Sequence, residues 1–294
     1  MTTILDLTQQ ALSAIGAEYP TTLLSTSVQQ QNQLRAVIYD EARFLRNQRI
    51  FPQSKKSYSF VTQSGRSKYP LPTDFFSALL RTQWDQTNHW EMRGPMSDQG
   101  WNYRTYGIVN FDNKTAYKIF GPDGNPNTIG GQFNVSPTPG TPAGLTLGFD
   151  YITKNLFLPP YWSPSTVVAA SSYRSASGNI YFTTLGGTTG LTPPSATSAV
   201  PADGTISDWT YISAPYETII KDTDMSIFDD DLMVAGIKWR YLRAKKQSCD
   251  TEFAEHQALV GSAKSRWIGD FSISLGAADY RFPYANVPEG SWNI

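Results

Sequence analysis

Few side chains in this sequence are equipped for chemistry. The chain has 294 residues but two histidines and one cysteine. His256 follows Glu252 by four residues, which puts the two on one face of a helix. An acid–base couple and an ordinary helix-face contact share that spacing, and the solvated contact is the expectation. His89 stands between Asn88 and Trp90, in a stretch that reads as the turn of a β-hairpin. Carboxylates gather at Asp222-x-Asp224 and at Asp229-Asp230-Asp231. They are acidic enough for a hard cation but lack the glycine and closing glutamate of a calcium loop. Acids ahead of an apolar periodic run also mark an ordinary helix start, where the dipole favours negative charge. Cys249, among Gln247, Ser248 and Asp250, has no activating base and reads as a buried, inert thiol. The one basic cluster is Lys238, Arg240, Arg243, Lys245 and Lys246, which helical spacing scatters around the helix instead of gathering into a phosphate-binding face. The phosphate-loop, dinucleotide and nucleophile-elbow patterns do not occur. A lone cysteine closes no internal disulfide and builds no cysteine-based zinc cluster. The expectation is a protein with no catalytic residues, no metal and no cofactor.

Composition narrows the class further. Charged residues make up 17%, below the roughly 25% of ordinary soluble domains, while aromatics reach 13%. The 24 Lys+Arg and 25 Asp+Glu leave a formal charge of −1. That combination argues against a disordered chain, and the missing basic excess argues against a dedicated nucleic-acid binder. No apolar run approaches the roughly 18–20 residues of a bilayer span, so no membrane partner is expected. The opening Met1-Thr2-Thr3-Ile4-Leu5-Asp6 has neither the basic stretch nor the apolar core of a signal peptide. Scarce charge with abundant aromatics fits a β-rich core, or a surface covered by copies and partners, since interfaces are rich in Tyr, Trp and Phe and poor in Lys and Glu.

The elements that would position these residues fall into three regions. Helices are predicted over 3–16, with Ile4, Leu7, Ala11, Leu12 and Ile15 on one face, Thr3 and Asp6 as caps and Gly16 as stop. A second runs over 27–48, with Leu34, Val37, Ile38, Glu41, Phe44 and Leu45 on one face and Pro52 beyond it. Residues 57–151 read as β: Ser57–Thr62, Tyr69–Asp74, Phe76–Trp84, Trp101–Phe111, Ala116–Phe120, Gln132–Val135 and Leu145–Tyr151, punctuated by Gly and Pro. Helical periodicity returns over 229–268, either as one long helix or as two antiparallel helices broken near Ser248–Thr251. Residues 161–213 differ in composition: Arg174, Asp203 and Asp208 are their only charged residues, and this stretch reads as an inserted β-module. Residues 269–294 are aromatic without periodicity, an extended tail. The fold class expected is α+β, with a helical bundle from the N- and C-terminal helices, an antiparallel sandwich-like middle, the small inserted β-domain and the tail. The main body would comprise 1–160 and 214–294.

Three stretches together resemble a known family. They are Ala11-Leu12-Ser13-Ala14-Ile15-Gly16 with the helix ending at Arg43–Arg49; Tyr69-Pro70-Leu71-Pro72-Thr73-Asp74-Phe75; and Lys221–Asp231 running into Gly236-Ile237-Lys238-Trp239-Arg240-Tyr241. Their order is similar to that of the head-to-tail adaptor proteins of short-tailed bacteriophages, the tail tubular A-type or head-completion proteins. The resemblance implies a structural virion protein at the head–tail junction, assembled in the host cytoplasm as a homo-oligomeric, dodecameric ring. Its partners would be the portal protein above and the tail nozzle protein below, with double-stranded DNA passing through the lumen unread. Carried over by position, the tail residues Phe271, Tyr280, Phe282, Tyr284 and Trp292 would contact the portal.

The insert departs from that pattern. Gly178–Thr184, Gly186–Gly190 and Asp203–Ile212 resemble a small β-module of phage tail and glycan-binding proteins. Tyr181, Trp209 and Tyr211 can stack on sugars or contact capsid, yet Trp209-x-Tyr211 alternation also fits the module's own core, which is the expectation. A carbohydrate- or receptor-binding tail protein acting through this insert is the alternative function.

Overall fold

The computed structural model describes residues 2–24, 29–107, 114–122, 130–139, 144–197 and 202–268. Among them lie five α-helices: α1 (Ile4–Ala14), α2 (Gln29–Gln48), α3 (Asp98–Tyr106), α4 (Asp230–Ala244) and α5 (Asp250–Ile268). The strands are β1 (Lys55–Val61), β2 (Lys68–Pro70), β3 (Phe75–Ala78), β4 (Trp84–Asp85), β5 (Trp90–Glu91), β6 (Ala116–Phe120), β7 (Gln132–Ser136), β8 (Thr146–Thr153) and β9 (Phe157–Leu158). They continue with β10 (Val167–Val168), β11 (Ser172–Ala176), β12 (Asn179–Thr183), β13 (Gly187–Thr188), β14 (Thr210–Ile212) and β15 (Met225–Ser226). The chain is mixed α and β, its ladders between named strands are antiparallel, and no sheet among the described residues closes into a barrel.

The first helix forms as its letters dictate. Thr3 Oγ1 accepts from Asp6 N at 3.2 Å and Asp6 Oδ2 accepts from Thr3 N at 3.3 Å, a reciprocal capping box. Ile4, Leu7, Ala11 and Leu12 are buried, and Gly16 takes the left-handed conformation just past the end. In α2 the buried face is Leu34, Val37, Ile38, Glu41, Ala42 and Leu45. Both helices pack on α4, and α4 packs on α5. Ile4, Leu7, Ile38, Leu45, Met233, Ile237 and Val260 share one hydrophobic core.

Of the two readings of 229–268 the structure takes the helix pair, with the break between Ala244 and Asp250, while other stretches depart from expectation. Lys246 has φ +57°, its N–H reaches Arg243 O at 3.0 Å, and Gln247 N reaches Leu242 O at 3.0 Å. That is the left-handed closure usually given to glycine, here carried by lysine. The stretch 101–106, expected as strand, belongs to α3. Ser97 caps it by accepting from Gly100 N at 3.1 Å, and Arg104 is its buried residue, with Nε donating to Ser136 O at 3.2 Å. An apolar stripe is missing, so periodicity does not reveal this helix. The expected strand Phe76–Trp84 is also divided, into β3 and β4, with Arg81 at φ +64° between them.

The middle region holds a five-stranded sheet, β1–β8–β4–β5 with β3 also on β8, and a three-stranded sheet, β2–β7–β6. Their aromatics meet in a second core. Tyr117, Phe133 and Phe149 stack face to face at 5.0 and 5.1 Å between centroids. Within the insert, β11–β12–β14 form one sheet and β10–β13 another, around Val168, Tyr181, Ile206 and Trp209. The insert joins the helical core through Ile180, and Tyr173 meets Tyr216 edge to face at 5.9 Å.

Candidate functional site

The acidic residues singled out above are taken up by the fold. Asp222 Oδ2 accepts from Thr22 Oγ1 at 2.5 Å and its Oδ1 from Leu23 N at 2.8 Å, fastening the segment after α1. Asp224 is buried and accepts from Tyr216 Oη at 2.9 Å, Ile220 N at 2.7 Å and Lys221 N at 2.9 Å. Burial raises its carboxyl above the ordinary range despite those donors. The two acids thus face different partners and do not form one ligand set. Asp229 occupies the N-cap position of α4 without a side-chain capping bond. Its carboxylate meets Gln53 Nε2 at 3.4 Å and lies 3.8 Å from Arg266 Nη1, while Asp230 accepts from Thr2 Oγ1 at 2.6 Å. These acids line a hollow of about 730 Å³.

His256 does not pair with Glu252 on the helix surface. It is fully buried, and its Nε2 lies 2.8 Å from Oε1 of Glu41, itself fully buried on α2. The other carboxylate oxygen of Glu41 accepts from Arg240 Nε at 2.6 Å. A carboxylate only accepts, so His256 presents Nε2–H to it. Among the described residues, His256 Nδ1 and the nearby Trp239 Nε1 have no hydrogen-bond partner. The network bridges α2, α4 and α5. Its signal in the sequence is Glu41, an acid at a stripe position. The other basic residues diverge: Lys238 reaches Glu255 at 3.1 Å, Lys245 reaches Gln33 at 3.1 Å, and Arg243 lies over Trp239. His89 sits in the β4–β5 turn at φ +57°. Cys249 is half-buried rather than buried, just ahead of α5.

Tyr181 and Trp209 belong to the core of the insert, and Tyr211 packs partly against it, its ring 6.2 Å from that of Tyr181. The two insert acids are internal acceptors. Asp203 takes Trp162 Nε1 at 2.6 Å and Gly190 N at 2.7 Å; Asp208 takes Thr183 Oγ1 at 2.5 Å, Thr184 N at 2.7 Å and Leu185 N at 2.9 Å. Those hydroxyls and amides hold the Asp208 carboxyl well below the usual range. The tail residues Phe271, Tyr280, Phe282, Tyr284 and Trp292 lie outside the described residues.

One cleft gathers residues from three regions. It measures about 650 Å³ and lies between the 69–75 segment, β8 and the inserted sheet. Asp74, at the end of the 69–75 segment, bonds the sheet. It meets Lys56 Nζ, Tyr151 Oη and Thr153 Oγ1, each at 2.8 Å. Burial alone would raise its carboxyl, but the charge of Lys56 and these hydrogen bonds outweigh it and hold the group below the ordinary range. Burial pushes the phenols of Tyr58, Tyr151 and Tyr211 upward, with Asp74 adding to the shift of the last two. Across the cleft Thr73 Oγ1 donates to Ser213 O, and Asn155, Asn179 and Tyr211 complete the lining.

No protein-family model matches this chain, and no curated protein matches it. The cleft escaped sequence reading because Asp74 finds Tyr151 and Thr153 77 and 79 residues further on. Among the described residues, no group of three or more His, Cys, Asp or Glu side chains is placed to hold a metal ion.

Proposed function

We propose that this is a non-enzymatic structural virion protein, a head-to-tail adaptor that forms a homo-oligomeric ring between the portal of a phage capsid and the tail nozzle. The finer architecture that goes with this reading is a helical bundle carrying a sandwich-like β middle, with residues 161–213 as an inserted β-module. The observation that carries it is how the third resembling stretch uses its polar groups against the N-terminal region. Ile4 N donates to Asp224 O at 2.7 Å, Asp222 holds Thr22 and Leu23, and Glu41 holds Arg240 and His256. These bonds fasten the third stretch to the helices and loop of the N-terminal region, as a fold signature would. The surface supports the same reading. Tyr103 is 65% exposed, Tyr106 81% and Leu191 82%, on a chain short of charge. Exposed aromatic and aliphatic side chains of this size are the kind that copies and partners cover. A near-neutral lumen would let DNA slide without gripping its phosphates.

Mass photometry of the purified chain, alone and with rings of the cognate portal, tests the proposal. Recruitment to the portal as a defined multiple of the chain is expected. A monomer that portal rings never recruit would overturn it. The alternative, a glycan- or receptor-binding tail protein acting through the insert, retains Tyr211 alone among its three aromatics, because Tyr181 and Trp209 are packed inside the module.

A further inference from the structure

We propose that the open edge of β1 takes up the start of the chain's own C-terminal tail, with Phe271-Ser272-Ile273-Ser274-Leu275 pairing as an added strand. The inference goes beyond the ring assembly and does not depend on it.

Strand β1 is paired on one side only. All seven of its residues are in register with β8, without a bulge. In an antiparallel ladder every second residue turns its N–H and C=O away from the partner strand. From Lys56 to Val61 those outward groups meet no backbone or side-chain partner among the described residues. Edges are normally blunted by shortness, proline, a bulge or charge. This one is a full strand without proline, and its two charges, Lys55 and Lys56, stand at one end. Such a row of donors and acceptors selects an extended backbone, and the two faces of β1 say which side chains it should carry. Tyr58 and Phe60 pack partly buried against the second core, whereas Lys55, Ser57, Ser59 and Val61 are exposed. The fitting strand alternates apolar and small polar residues.

The path of the chain names the occupant. Asp229 takes Gln53 Nε2 at 3.4 Å and lies 3.8 Å from Arg266 Nη1. Gln53 stands just ahead of β1 and Arg266 in the last turn of α5, so the chain leaves α5 beside the start of β1. Phe271 follows Arg266 within a reach of about 17 Å. Taken whole, residues 269–294 lack periodicity, but Phe271-Ser272-Ile273-Ser274-Leu275 alternates, between Asp270 and Gly276. Laid parallel to β1 with Asp270 beside Lys55, the segment sets Ser272 and Ser274 beside Ser57 and Ser59 on the exposed face. Phe271, Ile273 and Leu275 then fall beside Lys56, Tyr58 and Phe60 on the other. Lys55 is exposed and has no acidic partner among the described residues; Asp270 supplies one. The cleft of about 650 Å³, with Lys56, Ser57 and Tyr58 in its wall, leaves room along this edge. Pairing there fixes where the aromatic remainder, from Tyr280 to Trp292, leaves the body.

The test uses the full chain. Hydrogen–deuterium exchange is followed by mass spectrometry in the parent and in Ile273→Pro, which removes a backbone donor from the tail and leaves the sequence of the body untouched. Peptides over 56–61 should exchange about five- to tenfold faster in the variant, and those over α1 and α4 at the parent rate. Equal exchange over 56–61 overturns the proposal. A cross-link then identifies the strand. Ser57→Cys and Ser272→Cys are combined with Cys249→Ser, and neighbouring strands lie within the Cα separation that a disulfide spans. Mild oxidation should bridge the two cysteines within one chain, read by non-reducing electrophoresis and peptide mapping. A bridge between chains makes a second copy the occupant and overturns the proposal, as does failure to bridge at all. Neither readout involves the portal, so failure at this edge and failure of the ring are distinguishable.

Discussion

Gly236 of α4 lies directly against Glu41 of α2: a Cβ placed on the glycine would stand 2.6 Å from Glu41 Oε1, far inside contact distance. The glycine lets helix α4 approach closely enough for Arg240, one turn further on, to reach the carboxylate from one side while His256 of α5 reaches it from the other. A small residue in one helix thus makes room for a charge buried in another. Three helices converge on that one carboxylate, which is why its neighbours are sensitive positions.

Gly236→Ala should therefore be costly. The methyl group cannot be accommodated by turning Glu41 away, because both its oxygens are held. Overpacking of this kind costs about 1–3 kcal/mol, and disturbing the buried network adds to it. Urea denaturation should show a lowered midpoint at unchanged slope. An unchanged midpoint would mean that α2 and α4 are not in this contact.

Glu41→Gln addresses the charge instead of the space. The amide keeps the shape but leaves Arg240 without its anion, and breaking a buried pair by removing one partner costs about 3–5 kcal/mol. Pairing it with Arg240→Met removes the stranded cation. The double variant should recover a large part of that loss, measured as a coupling energy in a double-mutant cycle. Simple additivity of the two substitutions would refute the pairing.

How far the sequence announces these features depends on how local their causes are. The capping box of α1 is written in Thr3 and Asp6, three residues apart, and the structure forms both of its bonds. Glu41 is visible as an acid in an apolar stripe, but not its partners, which lie 199 and 215 residues away. Helix α3 is hidden because its anchor is the one buried residue Arg104 instead of a stripe. Asp74 gains its sheet partners through tertiary folding, a contact that no local spacing encodes.

Asp74 makes stability depend on pH on the acid side. Its carboxyl is held below the ordinary range in the fold, so its contribution is fully present above the unfolded value of about 3.9 and is lost as pH falls through the folded one. Asp74→Asn should be less stable than the parent near neutrality, and the gap should close as pH drops below about 4. Denaturation midpoints of the two chains across that window check it. A gap independent of pH would mean that the Lys56 pairing contributes nothing.

Asp224 should behave in the opposite sense. Burial raises its carboxyl in the fold, so its favourable contribution exists below the unfolded value and is lost as pH rises through the folded one. In Asp224→Asn the amide oxygen can accept from Ile220 N and Lys221 N while Nδ2 donates to a reoriented Tyr216 hydroxyl. At neutral pH the variant should match or exceed the parent in stability, with the advantage shrinking toward about pH 4. A large loss at neutral pH would show that the charged form is the one the fold prefers.

Lys246 provides the remaining test, at the joint between α4 and α5. A non-glycine residue in the left-handed region is strained by its Cβ, at about 1 kcal/mol, and Lys246 holds φ +57° to end one helix and turn the chain toward the next. Lys246→Gly relieves the contact but adds freedom to the unfolded chain, and the first effect should dominate because the left-handed closure bonds from residues 246 and 247 are backbone ones and survive the change. The variant should be more stable by several tenths of a kcal/mol up to about 1 kcal/mol, read as a higher denaturation midpoint. Lys246→Ala keeps the strain and should show no gain. If alanine stabilises as much as glycine, the joint is not left-handed, and residues 229–268 run on as a single helix.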